Sequence, residues 1–299
     1  MKKSLIALAV LSVSGLAMAQ SSVTLYGVAD VGFGGGTGEK FRMIDGAGGA
    51  NSRFGLRGSE DLGGGLKANF AMENGTNLTD GVINAGAGAG KFFQRQAWLG
   101  MSGGFGEVRL GRQYTVGFDT DIWTMLNTRT NSQLRTGLGF NGAVARNDNM
   151  IRYISPDLGG IRVHGSYQLK NNNNPNTTEL AVRYGNGPIA ANLYVGKVKG
   201  LSTGWALNGS YDFGGVKAIA GFTDLAGKNT GRGFHLGAVA TMAPATLFVN
   251  VARNTDAKLT GIDLGARYSL SKRTYLYAGY GRVNKGVGNR YGLGLDHSF

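Results

Sequence analysis

Residues 290–299 read Arg-Tyr-Gly-Leu-Gly-Leu-Asp-His-Ser-Phe. In an extended chain Tyr291, Leu293, Leu295, His297 and Phe299 share one face. Arg290, Gly292, Gly294, Asp296 and Ser298 share the other. Successive side chains of a strand point to opposite sides, so a period of two with one apolar and one small or polar face predicts a strand. The same division recurs upstream. Residues 260–270 set Ile262, Leu264, Ala266, Tyr268 and Leu270 against Gly261, Asp263, Gly265, Arg267 and Ser269. Residues 161–170 and 203–213 repeat it, with Ile161, Val163, Tyr167 and Leu169, then Trp205, Leu207, Tyr211 and Phe213, on the apolar side. No long segment carries the helical spacing of apolar residues.

Turn residues divide these strands. Short turns are expected at 61–65, 103–105, 157–160, 185–188, 212–215, 243–244 and 271–272. Longer polar connections are expected at about 35–51, 75–90, 115–145, 171–176, 199–202, 226–230, 254–257 and 284–288. Short and long connections alternate, and together they imply sixteen strands. Pro156, Pro188 and Pro244 fall at short turns and Pro175 in a longer connection. None sits mid-strand, where it would delete a ladder hydrogen bond.

Composition removes several function classes. The 299 residues include 53 Gly, three His and no Cys, and the formal charge is +13. Without Cys there is no disulfide scaffold, thiolate zinc site or Cys nucleophile. The positive charges are scattered among strands rather than gathered in a nucleic-acid footprint. Residues 1–19 read as a secretory signal: Lys2 and Lys3, an apolar core from Leu5 to Leu16, then Ala17-Met18-Ala19 as the cleavage site. The expected mature domain is 20–299. No later stretch has the ~20 apolar residues of a membrane helix. An exported chain of sixteen two-faced strands with alternating short and long connections, and no domain break, fits a transmembrane barrel with a polar lumen better than a soluble sandwich. Only a closed barrel lets strands cross lipid with every backbone group paired. On the second strand Arg53 and Arg57 share a face while Phe54 and Leu56 share the other. A charge facing mid-bilayer lipid costs ~2–4 kcal/mol, so the arginines are expected in the lumen.

The chain resembles the general porins of β-proteobacteria, of the Neisseria, Bordetella and Comamonas type. The resemblance is carried by Ser22–Asp30 (SVTLYGVAD), Ser52–Ala68 (SRFGLRGSEDLGGGLKA), Phe93–Gly103 (FQRQAWLGMSG), Phe105–Arg112 (FGEVRLGR), Ile151–Pro156 (IRYISP) and Leu270–Tyr277 (LSKRTYLY). It implies an all-β fold, a 16-stranded antiparallel transmembrane barrel whose third external loop, 115–145, folds inward to narrow the channel. That loop carries Asp119 and Asp121. The resemblance places Arg53, Arg95 and Arg146 in the facing arginine cluster of the anion-selective members, with Arg57 and Arg152 as further candidates. Lys67, Arg109, Arg162, Arg183 and Arg267 are expected to line the rest of the lumen, and Arg112 falls out of phase with Arg109. The terminal Phe299, with Leu295, Leu293 and Tyr291, is similar to the signal read by the barrel assembly machinery. The implied function is passive diffusion of small hydrophilic solutes and ions, anions preferred. A homotrimer in the bacterial outer membrane, amid its lipid and lipopolysaccharide, is implied too, with no cofactor and no nucleic-acid partner.

No Ser/His/Asp set stands out at strand ends, so no catalytic residue is assigned, and no metal site. Two rivals remain open at this point: a substrate-selective channel, and a barrel adhesin or enzyme with an occluded lumen.

Overall fold

The computed structural model describes residues 22–47, 50–83, 90–119, 145–170, 175–225 and 231–299. Residues 1–19, expected as the export segment, and most of the stretch 115–145, with Asp121, lie outside the described residues. The strands are β1 (Ser22–Gly36), β2 (Glu39–Asp45), β3 (Arg53–Gly63), β4 (Leu66–Gly75), β5 (Gln96–Gly103), β6 (Gly106–Tyr114), β7 (Arg146–Ile154), β8 (Ile161–Gln168) and β9 (Thr177–Asn186). They continue as β10 (Ile189–Val198), β11 (Thr203–Asp212), β12 (Val216–Asp224), β13 (Arg232–Met242), β14 (Ala245–Asn254), β15 (Leu259–Ser269), β16 (Thr274–Val283) and β17 (Gly288–Ser298). A helical turn, α1 (Val116–Asp119), follows β6.

All seventeen strands form one antiparallel sheet that closes on itself. β1 lies beside β17, from Val28 opposite Ser298 to Gly36 opposite Arg290. Gly27 and Phe299 complete the seam, each N–H donating to the other's carbonyl at 3.1 Å. Pairing β1 with β17 leaves the sheet no open end, which is the condition for crossing hydrocarbon with strands.

Seventeen strands occupy sixteen staves because β2 and β3 share one. The lower part of β1, Ser22 to Val28, pairs with β3, and its upper part, Val31 to Gly36, pairs with β2. The connection expected over 35–51 is therefore corrected: Glu39–Asp45 is strand. Its pattern hides beside the Gly34-Gly35-Gly36-Thr37-Gly38 run, yet Phe41 and Met43 continue the outer apolar face. Phe41 stacks between Phe33 and Tyr291, with ring centroids at 5.8 and 6.3 Å. Three connections expected to be long, at 199–202, 254–257 and 284–288, are tight turns, the last two at 255–258 and 284–287. Gly, Asn, Thr and Lys read as loop whatever its length, because turns use the same residues.

The polarity is inverted relative to a water-soluble protein. Leu207 is 51% exposed on the outside while its neighbour Asn208 is 2% exposed on the inside. Around the inner wall Asn192 lies opposite Asn208, and Asn250 opposite Asp263. A cation on the outer face is expected to be costly and depth-dependent. Leu207→Arg should lower the stability of the barrel refolded into bilayers by ~2–4 kcal/mol. Urea titration measures this, and Asn208→Ser on the lumen side should leave the midpoint nearly unchanged.

Candidate pore constriction

Arg53 opens β3, Glu73 lies near the end of β4, Arg95 precedes β5, Tyr114 ends β6 and Arg146 opens β7. Alternate strands run in opposite directions, so these positions all lie toward the rim of the longer connections. Glu73 is buried, and its Oε1 accepts from Arg95 Nε at 2.6 Å. Its Oε2 accepts from the Tyr26 hydroxyl at 3.1 Å and lies 3.6 Å from Arg53 Nε. The Tyr114 hydroxyl accepts from Arg95 Nη2 at 2.8 Å and from Arg146 Nη2 at 2.9 Å. The Arg146 guanidinium also stacks over the Tyr114 ring at 4.4 Å, a cation–π contact. Arg53, Arg95 and Arg146 are thus brought together around one carboxylate and one phenol, a local balance of 3 − 1 = +2. Arg146 has no carboxylate partner among the described residues.

A bulge makes this arrangement possible. The register of β6 against β7 shifts between Gly111 and Gln113. Gly111 takes φ +128°, and a Cβ there would lie 2.4 Å from the Ala97 carbonyl oxygen, so the position needs glycine. The extra residue re-aims the chain after it, turning Tyr114 into the lumen where simple alternation from Arg109 would point it outward. It also accounts for the out-of-phase Arg112, which donates to the Gln94 carbonyl at 2.6 Å and to Asp148 at 2.7 Å.

The chain then turns inward at α1. The Val116 N–H donates to Glu179 Oε2 at 2.9 Å, and Glu179 also accepts from Tyr194 and Ser166 hydroxyls at 2.8 and 3.1 Å. Val116 packs with Ala181, Tyr194, Ala206 and Leu225 on the inner wall. Asp119 differs from expectation. It accepts from Arg152 Nη2 at 2.5 Å rather than facing the three clustered arginines. Arg152, only 1% exposed, also donates to the Tyr114 carbonyl at 3.1 Å and lies 3.1 Å from His164 Nδ1. A charge so buried has to be paired, so Arg152 is held in an internal lattice and does not present its charge to the channel.

The other candidates spread along the wall. Arg57 is exposed over the Tyr26 ring at 5.0 Å. Arg109 stacks on Trp98 at 4.2 Å and donates to Glu107 at 2.7 Å. Lys67 lies opposite Asp61 and Ser102. Arg162 sits directly opposite Arg183, with Asp157 at 3.4 Å. Arg267 lies over Tyr275 at 5.0 Å. Among the described residues no three His, Asp or Glu side chains gather as metal ligands. The sequence reading missed Tyr26, Glu73 and Tyr114. Glu73 was within reach, since it shares the inner face of β4 with Lys67, Asn69 and Ala71.

The sequence model of the Gram-negative porin family matches residues 4–287. The chain belongs to that family. It is 35% identical to outer membrane porin protein 32 of Delftia acidovorans, over 93% of this chain and 88% of the relative. It is 30% identical to an outer membrane porin of Bordetella pertussis over the full length of both. Among solved structures, the anion-selective porin from Comamonas acidovorans superposes with a TM-score of 0.76 at 26% identity, covering 94% of this chain and 100% of that one. The trimer form of OmpT from Vibrio cholerae shares the fold at a TM-score of 0.70 and 16% identity, covering 93% and 99%. This porin is therefore an outer-membrane channel, a β-barrel whose strands cross the lipid.

Proposed function

We propose that this porin is a general diffusion channel for small hydrophilic solutes and ions, anion-preferring, with Arg53, Arg95 and Arg146 setting the preference. One observation carries the reading: three guanidinium groups converge while, among the described residues, a single carboxylate, Glu73, offsets them. A ring of arginines favours anions in a pore, and arginine stays charged at any working pH. One uncompensated charge ~5 Å from an anion in water contributes ~0.8 kcal/mol. The net +2 then gives ~1.6 kcal/mol, roughly fifteenfold, before screening. Salt reduces this, since the Debye length is ~10 Å at 0.1 M.

The mature chain would begin at Gln20, after cleavage beyond Ala19, and would be inserted by the barrel assembly machinery into lipopolysaccharide-bearing membrane. Its assembly would be a homotrimer, supported by the family, by the trimer form of OmpT and by an outer face that offers apolar side chains to a neighbour as well as to lipid. Reconstitution into planar bilayers tests channel and trimer together. The expected record is stepwise, always-open conductance, each insertion closing through three equal sublevels at high voltage. An absence of steps would sink the diffusion-channel reading, and single-level closure would sink the trimer.

A further inference from the structure

The inner wall between the arginine cluster and the short turns carries two aromatic rings, Tyr26 of β1 and Trp98 of β5, while their neighbours Leu25 and Leu99 are exposed on the outer face. Each ring lies over a glycine. A Cβ at Gly55 would lie 2.9 Å from Tyr26 Cζ, and one at Gly100 would lie 3.4 Å from Trp98 Cζ3 and 3.1 Å from Arg109 Cγ. Each ring also meets a guanidinium, Arg57 at 5.0 Å from the Tyr26 centroid and Arg109 at 4.2 Å from that of Trp98. Together they border a cavity of about 550 Å³, within the range of small-molecule sites. Arg57 stands four residues beyond Arg53 on β3, ~13 Å further along the strand toward the short turns.

Register sets the spacing across the cavity. Arg57 lies opposite Ala71, and Ala71 opposite Trp98. Neighbouring strands are ~4.8 Å apart, so Arg57 and Trp98 stand ~10 Å apart over the small Ala71 side chain, the floor of the slot. Arg109 meets the indole from the β6 side, which leaves the side toward Ala71 and Arg57 for a ligand. The Trp98 N–H is bound to Gln96 at 3.1 Å, so the indole offers only its π face. The charges are unequal. Arg109 donates to Glu107 at 2.7 Å and is neutralised there, and Glu73, which also borders the cavity, is paired with Arg95. Arg57 is exposed and makes no hydrogen bond or ion pair among the described residues.

We infer that this slot is a subsite for a planar aromatic monocarboxylate, a benzoate-type anion, whose ring stacks on the Trp98 indole while its carboxylate takes the donors of Arg57. A flat ring lies ~3.5–4.0 Å from the indole, well inside the gap, and the guanidinium fork matches a carboxylate. One uncompensated cation calls for one negative charge; a second would face Glu107 and Glu73. The subsite rests on the diffusion-channel reading above and names a solute class within it.

Benzoate and cyclohexanecarboxylate are the probes. They share charge and nearly size, and only benzoate is flat and aromatic. The porin conducts chloride in planar bilayers at neutral pH and ~10 mM salt, where the Debye length is ~30 Å. Benzoate should halve the current at about fivefold lower concentration than cyclohexanecarboxylate, the value of one aromatic stacking contact. Trp98→Leu should bring the two acids level. Arg57→Gln should weaken both about fourfold, the value of one charge ~5 Å from a monovalent anion in water, and Arg57→Lys should restore most of it. Ala71→Leu, which fills the slot from its floor, should also abolish the preference and supplies the same test if Trp98→Leu does not assemble. Equal half-blocking concentrations in the unmodified channel, or no block by either acid, would overturn the subsite. So would a preference for benzoate that survives Trp98→Leu or Ala71→Leu in a conducting barrel. The parent reading fails separately, if no stepwise conductance appears before any acid is added.

Discussion

Changing Arg53, Arg95 and Arg146 together to Gln is expected to move the zero-current potential in a salt gradient from anion toward cation preference. The change removes +3 from a zone where Glu73 remains, so the local balance passes from +2 to −1. The shift should be larger at ~10 mM than at ~1 M salt, because the Debye length falls from ~30 Å to ~3 Å. The single variants should not contribute equally. Arg146 has no carboxylate partner among the described residues and should contribute most, whereas Arg95 is cancelled by Glu73 at 2.6 Å and should contribute least. Leaving Glu73 buried and unpaired also costs stability, on the scale of ~3–5 kcal/mol for breaking a buried pair. Adding Glu73→Gln to the triple variant relieves this and should bring the channel back toward neutrality. Conductance should not fall, since shorter side chains widen the opening. An unchanged zero-current potential at low salt in the folded triple variant would move selectivity to vestibule charges.

Removal of Phe299 is expected to lower the amount of barrel in the outer membrane far more than it lowers stability. The stability loss is not nil. Phe299 makes two backbone hydrogen bonds to Gly27, worth ~0.5–1.5 kcal/mol each, and its ring occupies the space that a Cβ on Gly27 would need, 2.3 Å from Phe299 Cζ. Phe299→Ala separates the two effects. It keeps the backbone pairing and deletes only the terminal aromatic group. If the assembly machinery reads that group along with Leu295, Leu293 and Tyr291, Phe299→Ala should deplete the membrane pool about as much as the deletion. Its urea midpoint after refolding should stay close to wild type. Normal membrane levels of Phe299→Ala, measured as heat-modifiable bands, would refute the signal.

The barrel was legible because its physics is periodic. A strand between lipid and water must alternate, and Leu264 against Asp263 or Leu207 against Asn208 announces both the strand and the side on which the lumen lies. Legibility fails where the period breaks. The bulge at Gly111–Gln113 changes the phase of β6, so counting from Arg109 points Tyr114 to the wrong side. β2 was hidden for another reason: four of the six residues of its partner segment, Val31–Gly36, are glycine, so few side chains there alternate. The three clustered arginines were placed by resemblance, and alternation alone gave the lumen to Arg53 and Arg57. The partners of those arginines were another matter. That Glu73 joins Arg53 to Arg95, and that Asp119 takes Arg152, depends on which strands are neighbours and at what height. Those are long-range facts that no local pattern encodes.

The shared stave gives β1 a different status from the other strands. On one flank it is bonded to β17 along its upper two-thirds, while on the other it passes from β3 to β2 partway up. The ladder between β1 and β2 can therefore break while the ladder between β1 and β3 stays whole. Such a break would part the wall only in its outer half, leaving the inner half sealed. The upper part of β1 would then be held by β17 alone, while the lower part stays tied to β3.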